Sequence, residues 1–161
     1  MADLIQYVTL GISKELLAVP VDLVREILEM RPIARLPQAP SHLLGMIDVR
    51  GTGVPVIDLR LKLGFEPTAD TENTRIVVLN VVVGGNDTMF GLKTDRVFEV
   101  TVLDEETLGR PPEIGTKWRS GFIAGIGRRN GAFVTVLDLG TLFSSDETAL
   151  ADDIAENDRA A

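Results

Sequence analysis

The sequence predicts an all-β protein built from two related halves, each folded as a small barrel or a sandwich. Three observations support this fold class: an internal repeat, many short strand patterns separated by turn signals, and few helical patterns. The 161 residues are 45% hydrophobic, which is enough to fill a real core in one ordinary domain or two very small ones. Since two such small units bury too little alone, we expect them to pack on one another.

The first part of the repeat aligns residues 4–27 with residues 77–100, a shift of 73 positions. In this alignment Leu10 falls on Val83. The agreement concerns residue classes and covers β-rich, partly alternating runs. Each half is therefore predicted to open with a strand and to continue with a second short strand.

The second part of the repeat aligns residues 43–59 with residues 123–139, because the second copy has seven additional residues. This alignment pairs Gly45 with Gly125 and Asp58 with Asp138. We expect these pairs to occupy equivalent topological positions. The repeat thus divides the chain into halves of roughly 1–66 and 73–143.

Turn signals predict hairpins at equivalent places in the two halves. Asn130-Gly131 lies between two apolar runs and is the strongest short-range hairpin signal in the chain. Arg50–Gly53 has the corresponding position in the first half, and Gly84-Gly85 predicts a further turn before Asn86. The few predicted helices are short, at Val21–Arg25, at Ser41–Leu44, after Asp58, after Asp138 and in the tail.

Charge and composition exclude several functional classes. The net charge is −8, of which residues 146–161 contribute −5, and this charge repels nucleic acid and anionic membranes. The chain has no cysteine, so disulfides, zinc–thiolate sites and cysteine nucleophiles are excluded, as suits a reducing compartment. No apolar run is long enough to span a bilayer. We therefore predict a cytoplasmic protein.

The sequence is poor in residue patterns for catalysis. His42 is the only histidine and lies at a predicted helix start, and no metal-binding or phosphate-binding motif is present, so we predict no cofactor, no metal and no catalytic residue. The alternative is that Asp58 and Asp138 face each other as a carboxylate dyad in a bilobed aspartic hydrolase. We favour a simpler interpretation, in which each carboxylate caps the short helix that follows it.

Arg50 is the residue whose surroundings best suit a partner contact. It lies at a predicted hairpin end beside Gly51 and Gly53, which allow close approach of another backbone. A guanidinium there is suited to a bidentate contact with a partner carboxylate. A solvated turn arginine is the competing interpretation. Glu26 and Glu99 occupy equivalent positions and are either solvated strand ends or a polar rim.

Four stretches resemble the CheW family of chemotaxis coupling proteins: Val21–Ile27, Ile33–Pro37, Leu44–Gly51 and Val54–Arg60. The resemblance extends from about Gln6 to Phe143, which is nearly the whole chain. It implies two SH3-like five-stranded β-barrels. We accordingly predict one CheW-like domain over residues 1–145, with a first barrel at about 12–70, a second at about 73–143 to which the N-terminal strand is an optional addition, and an acidic tail, helical or disordered, at 146–161.

The resemblance also implies a function and a site. Family members are non-enzymatic adaptors that link membrane chemoreceptors to the regulatory domain of a CheA-type histidine kinase, with no nucleic acid and no membrane insertion. The receptor tip lies in the groove between the barrels. The positions implicated in this contact are Val24, Glu26, Gly45, Arg50, Val97, Val100 and Gly125. An adaptor of a parallel pathway, for example in pilus motility, is the alternative within the same class.

The chain departs from the family pattern in two places. Asp48, followed by Val49, stands where the Asn-Leu-Arg-Gly motif of the family has Asn, and its charge beside Arg50 is expected to weaken or change partner pairing. The acidic tail is not part of the barrels. Because its apolar residues are few and its acids repel one another, we expect the tail to be dispensable for barrel folding.

Overall fold

The computed structural model describes residues 4–83, 85–105, 107–110 and 122–143, and this part of the chain is mostly β-strand. The strands are β1 (Tyr7–Ile12), β2 (Glu15–Pro20), β3 (Val24–Glu29), β4 (Leu43–Val49), β5 (Thr52–Asp58), β6 (Arg75–Val83), β7 (Asn86–Thr94), β8 (Arg96–Thr101), β9 (Ile123–Arg129) and β10 (Ala132–Leu137). The helices are α1 (Leu59–Lys62), α2 (Leu139–Leu142) and a 3₁₀ turn at Val21–Leu23. The predicted all-β class with few short helices is confirmed.

One predicted helix differs from the structure. The predicted helix at Ser41–Leu44 is a turn followed by the start of β4, because the apolar pair Leu43-Leu44 continues an alternating strand pattern. The Gly84-Gly85 turn agrees with the structure in that Val83 pairs with Asn86, although Gly84 itself lies outside the described residues. The predicted tail helix also lies outside them.

The strands form two curled five-stranded sheets with the same connectivity. The sheet with order β3-β6-β7-β5-β4 is the first barrel, and the sheet with order β8-β1-β2-β10-β9 is the second. In both, the neighbours are antiparallel except for one parallel pair, β5 with β7 and β10 with β2. Gly45 pairs with Val56 as Gly125 pairs with Val136. The predicted equivalence of the two glycines is therefore confirmed.

Each barrel takes one hairpin from the other half of the chain. The β6–β7 hairpin follows the predicted linker yet pairs with β3 and β5 of the first barrel, whereas the β1–β2 hairpin pairs with β8 and β10 of the second. The sheets therefore differ from the predicted spans of about 12–70 and 73–143. A repeat in the sequence identifies equivalent strands, but it cannot tell which copy of a hairpin pairs with which neighbours.

The alignment of the first strand of the repeat was wrong by four residues. Leu10 pairs with Val97 as Leu79 pairs with Val24. Since Val24 and Val97 are equivalent, Leu10 corresponds to Leu79 and not to Val83. The β6–β7 hairpin is simply longer. A shift by an even number keeps every side chain on the same face of a strand, so the apolar pattern alone could not reveal the error.

The largest hydrophobic cluster lies between the barrels and contains residues of both. We call it the central cluster, and its members are Val8, Leu10, Ile12, Leu17, Val19, Leu43, Ile57, Leu59, Val77, Leu79, Val81, Phe90, Leu92, Leu137, Leu139, Leu142 and Phe143. Phe90 of the first barrel stacks on Phe143, with ring centroids 3.9 Å apart. Each barrel also has a smaller interior cluster. Because the shared cluster is larger than either interior, the barrels depend on each other for burial.

Candidate functional site

Arg50 lies at the tip of the β4–β5 hairpin, and its side chain is 83% exposed. The φ angles of 53° at Arg50 and 86° at Gly51 correspond to a type I′ turn, which needs two consecutive left-handed residues. The Gly51 N–H donates to Asp48 Oδ1 at 2.7 Å. A left-handed conformation costs a residue with a Cβ roughly 1 kcal/mol. An exposed arginine held there at a cost suits a functional role better than a structural one.

Glu26, on the edge strand β3, is the partner of Arg50 within the chain. The Arg50 Nη2 and Nε atoms lie 3.3 Å and 3.4 Å from the two Glu26 carboxylate oxygens. These contacts orient the guanidinium and use two of its five N–H donors. The structure therefore brings together two of the predicted site residues, one from β3 and one from the neighbouring hairpin tip.

Val24 and Val97 occupy equivalent positions at the starts of the edge strands β3 and β8. Both are partly buried and pack against the central cluster, each from its own barrel. Val100, further along β8, is 53% exposed. The two barrels thus present equivalent apolar positions beside their shared core.

Gly45 and Gly125 are buried, and at both positions neighbouring atoms approach so closely that there is no room for a side chain. A Cβ on Gly45 would lie 2.0 Å from the Ala34 carbonyl oxygen, and φ at Gly45 is +144°. A Cβ on Gly125 would lie 2.6 Å from Leu108 Cβ and 3.0 Å from the Gly109 carbonyl oxygen. At both sites the segment that follows the edge strand crosses over the sheet and makes a bridge, Ala34 with Met46 and Gly109 with Ile126. Their place in a partner contact stays a prediction.

The turn of the β9–β10 hairpin is the counterpart of the Arg50 turn but is stabilised differently. Asn130 and Gly131 have φ angles of 52° and 83°. Their N–H groups both donate to the Asp104 carboxylate at 2.9 Å. The hydrogen bonds from Gly131 and Asn130 lower the pKa of Asp104 below its usual value. Nearby, Arg129 Nε lies 3.4 Å from Glu99 Oε1, so Glu99 contacts an arginine as its equivalent Glu26 does, although the position equivalent to Arg50 holds Asn130.

The sequence predicts a groove between the barrels but not the residues that line the inter-barrel pocket. This pocket has a volume of about 640 Å³ and is lined by Glu15, Leu17, His42, Leu61, Lys62, Leu63, Gly64, Phe65, Phe122, Ile123, Thr135 and Leu137. None of the predicted site residues lines it. Phe65 and Phe122, its two aromatic residues, lie outside the repeated strand patterns.

Exposed aromatic residues on the second barrel were also missed. Phe98 and Phe133 are 51% and 66% exposed, and Arg96 and Arg128 lie over their rings at 5.0 Å and 4.8 Å. The alternation of β8 is interrupted by a register shift opposite β1, which leaves Phe98, Glu99 and Val100 all exposed. A strict period of two could not predict this exposure.

Asp58 and Asp138 cap the two short helices. The Asp58 carboxylate accepts from the Arg60 N–H at 2.9 Å, and the Asp138 carboxylate accepts from the Thr141 N–H at 3.2 Å. The capping interpretation is confirmed, and the dyad gains no support because each carboxylate serves its own helix. In the described ranges, no cluster of three or more His, Cys, Asp or Glu side chains is placed to hold a metal ion.

Comparison with known proteins agrees with this architecture. The CheW-like domain family matches residues 6–147. The chain is 30% identical over 134 residues to a chemotaxis protein CheW of Klebsiella aerogenes, covering 83% of this chain and 78% of that protein. It is 29% identical over 146 residues to a chemotaxis protein CheW of Treponema pallidum, covering 88% and 84% of the two chains. The crystal structure of the scaffolding protein TtCheW from Thermoanaerobacter tengcongensis matches with a TM-score of 0.78 at 26% identity, over 91% and 92% of the chains.

The structural match to a scaffolding protein over most of both chains places this protein in the class of scaffold or adaptor proteins. The chain belongs to the CheW-like family, whose match covers most of its length. The relatives assign this scaffold to chemotaxis, and the family consists of scaffolds rather than enzymes. Within the part of the chain that the structure describes, no helix has the length and apolarity needed to cross a membrane.

Proposed function

We propose that the protein couples membrane chemoreceptors to a CheA-type histidine kinase, in the cytoplasm and at receptor arrays. The family match and the chemotaxis relatives support this role. The site for the receptor tip comprises Val24, Glu26, Arg50, Val97 and Val100. Gly45 and Gly125 complete the proposed site by shaping the two barrels beneath it.

The observation that carries the proposal is the position of Arg50. Its guanidinium is 83% exposed at a hairpin tip, held in a left-handed turn and oriented by Glu26. A stability role alone would favour Gly or Asn at this place, as Asn130 illustrates in the equivalent turn. An arginine there suits charge-assisted recognition of an acidic partner surface.

A coupling protein needs a second surface for its second partner. The exposed Phe133, with Arg128 over its ring, supplies a small apolar surface with a cationic rim on β10, which β1 and β2 separate from β8 in the strand order. Exposed aromatic groups of this kind are typical of protein contacts. We assign this surface to the kinase and the Arg50 side to the receptor. An adaptor of a parallel pathway, such as pilus motility, would use the same surfaces.

The test of the receptor site is Arg50→Glu. Because Arg50 is exposed, we expect the free energy of unfolding to change by no more than about 0.5 kcal/mol. Loss of the charge-assisted contact, together with the new repulsion, should weaken receptor binding by about 2 kcal/mol, or roughly thirtyfold. Urea unfolding and quantitative pull-down with a purified receptor fragment and the kinase measure the two quantities.

Lys14→Glu is the matched control, since it makes the same change of charge at the exposed β1–β2 turn. It should leave both partners bound. Phe133→Ser should weaken kinase binding and spare receptor binding. An Arg50→Glu protein that folds normally and assembles the ternary complex at wild-type affinity would contradict the role assigned to Arg50.

A further inference from the structure

A pocket with a basic rim lies at the first barrel, and its residue Arg35 lies beside Gly45 of the proposed receptor site. It has a volume of about 480 Å³, and Arg31, Arg35 and Lys93 line it together with Asp70. Lys93 Nζ lies 2.5 Å from Asp70 Oδ1, so that pair is neutral. The two arginines leave surplus positive charge in a chain whose net charge is −8. The pocket is therefore suited to an acidic occupant.

The floor of this pocket is apolar and continuous with two cores. Leu43 belongs to the central cluster, and Leu36 packs against it. Met30 and Leu44 pack against the interior cluster of the first barrel. An occupant that carries carboxylates and a few aliphatic side chains would therefore satisfy both the rim and the floor.

The last described residue contacts the strand that also carries Lys93 of this pocket. Phe143 is a member of the central cluster, as Leu43 is, and its ring stacks on Phe90 of β7. Lys93 follows Phe90 by three residues on the same strand, about 10 Å along it, and its side chain leaves the opposite face of that strand. The 18 residues beyond Phe143, each spanning at most about 3.3 Å, are long enough to pass around the strand to the pocket.

The remaining chain has the composition that the pocket would accept. The sequence continues for 18 residues beyond Phe143, and residues 146–161 contain six acidic residues and one arginine. Leu150 and Ile154 are its large aliphatic residues. Tethering at Phe143 gives such a segment an effective concentration on the order of millimolar at the pocket. Weak contacts then suffice for binding.

We propose that the acidic C-terminal segment, residues 146–161, binds the basic pocket formed by Arg31, Arg35 and Lys93 of the same chain. The contacts involve exposed charges, so each is weak and is screened by salt. This weakness agrees with the expectation that the barrels fold without the tail. The proposal does not depend on the identity of either partner in the coupling role.

The test compares two full-length chains by amide chemical shifts. One is the wild type, and in the other the six tail acids are replaced by their amides: Asp146→Asn, Glu147→Gln, Asp152→Asn, Asp153→Asn, Glu156→Gln and Asp158→Asn. The shift differences outside the tail should concentrate around Arg31, Arg35 and Lys93. They should decrease about threefold or more when salt rises from about 0.02 M to about 0.5 M. They should not change on dilution, because the contact is within one chain.

The pocket is tested from the other side by Arg31→Glu combined with Arg35→Glu. This variant should abolish the shift differences, whereas the matched pair Arg25→Glu with Arg110→Glu, exposed and outside the pocket, should preserve them. If the pocket variant fails to fold, the proposal is tested by the salt dependence of the shift differences between the wild type and the variant with the neutralised tail. The proposal would be overturned by shift differences that are absent, that lie on another surface or that do not respond to salt. Shift differences that fade on dilution would also overturn it, because they would indicate that a second copy of the chain occupies the pocket.

Discussion

The two barrels have the same strand order but stabilise equivalent features with different chemistry. In the first barrel the type I′ turn is supported from within its own hairpin, since Asp48 accepts the Gly51 N–H. In the second, the carboxylate comes from Asp104, which lies 27 residues before Gly131 in the chain. The first turn carries a strained, exposed arginine, and the second carries the favourable Asn-Gly pair.

The exposed residues of the two barrels also differ at equivalent positions. Phe98, Val100 and Phe133 of the second barrel are exposed apolar residues. The corresponding positions of the first barrel are Arg25, Ile27 and Gly53, of which only Ile27 is a large apolar residue. Duplication therefore preserved the positions that pairing and packing require and left the exposed positions free to diverge. Differences between equivalent exposed residues are accordingly the best guide to separate partner surfaces.

The largest predicted effect is the loss of stability on replacing each of the two equivalent glycines by alanine. Gly45→Ala should cost about 4 kcal/mol or prevent folding, because the new Cβ would meet a backbone carbonyl and φ is left-handed. Gly125→Ala should cost about half as much, since its new Cβ would meet Leu108 Cβ at 2.6 Å and a carbonyl oxygen at 3.0 Å, both longer than the 2.0 Å contact at Gly45, and its φ is not left-handed. Urea unfolding of both variants measures the difference. Equal costs would mean that the two crossing segments are equally rigid.

A second prediction concerns Asp95, which contacts residues of both barrels. Its Oδ2 atom lies 2.6 Å from Arg60 Nη1 and accepts the Ser13 N–H at 2.7 Å. Asp95→Ala leaves the largely buried Arg60 without this contact and should cost about 2 kcal/mol. Asp22, the equivalent residue of the first half, is exposed, and Asp22→Ala should cost no more than about 0.5 kcal/mol. Denaturant midpoints compare the two, and similar losses would refute the role of Asp95.

The smallest predicted effect depends on pH and tests the two turns. The pKa of Asp104 is lower in the folded protein than its usual value of 3.8, so its ionised form stabilises the fold above that pH. Asp104→Asn should therefore melt at a lower temperature than wild type at pH 7. The gap should close as the pH falls below 3.8 and through the lowered pKa, where the wild-type carboxyl becomes protonated.

Asp48→Asn is the matched variant for the other turn. At pH 7 it should lower the melting temperature less than Asp104→Asn does, because Asp48 accepts one turn N–H and Asp104 accepts two. A gap between wild type and Asp104→Asn that persists unchanged at acid pH would contradict a role for the Asp104 charge.

Local signals in the sequence were sufficient for much of the fold. Asn130-Gly131 and Arg50-Gly51 predict two hairpins that the structure contains, and the repeat predicts that Gly45 matches Gly125. Capping by Asp58 and Asp138 followed from their place before apolar runs. Each of these features is decided within a few residues of chain, by turn conformation or by a capped N–H group.

The site was only partly predictable. The exposure of Arg50 followed from its turn, but its contact with Glu26 joins residues 24 positions apart. The exposure of Phe98 depends on a register shift between β8 and β1, and the inter-barrel pocket combines segments from both halves. None of these features leaves a local pattern, because each arises from the pairing of distant strands.

The sequence by itself determined the all-β class, the duplication, the main hairpin turns and the residues that resemble a CheW protein. Only the tertiary structure decided that each barrel borrows a hairpin from the other half, and that the largest core lies between the barrels. The physical reason is that equivalent strands carry equivalent apolar patterns. Local pattern therefore allows either pairing, and the choice depends on which arrangement of the whole chain buries the shared surface.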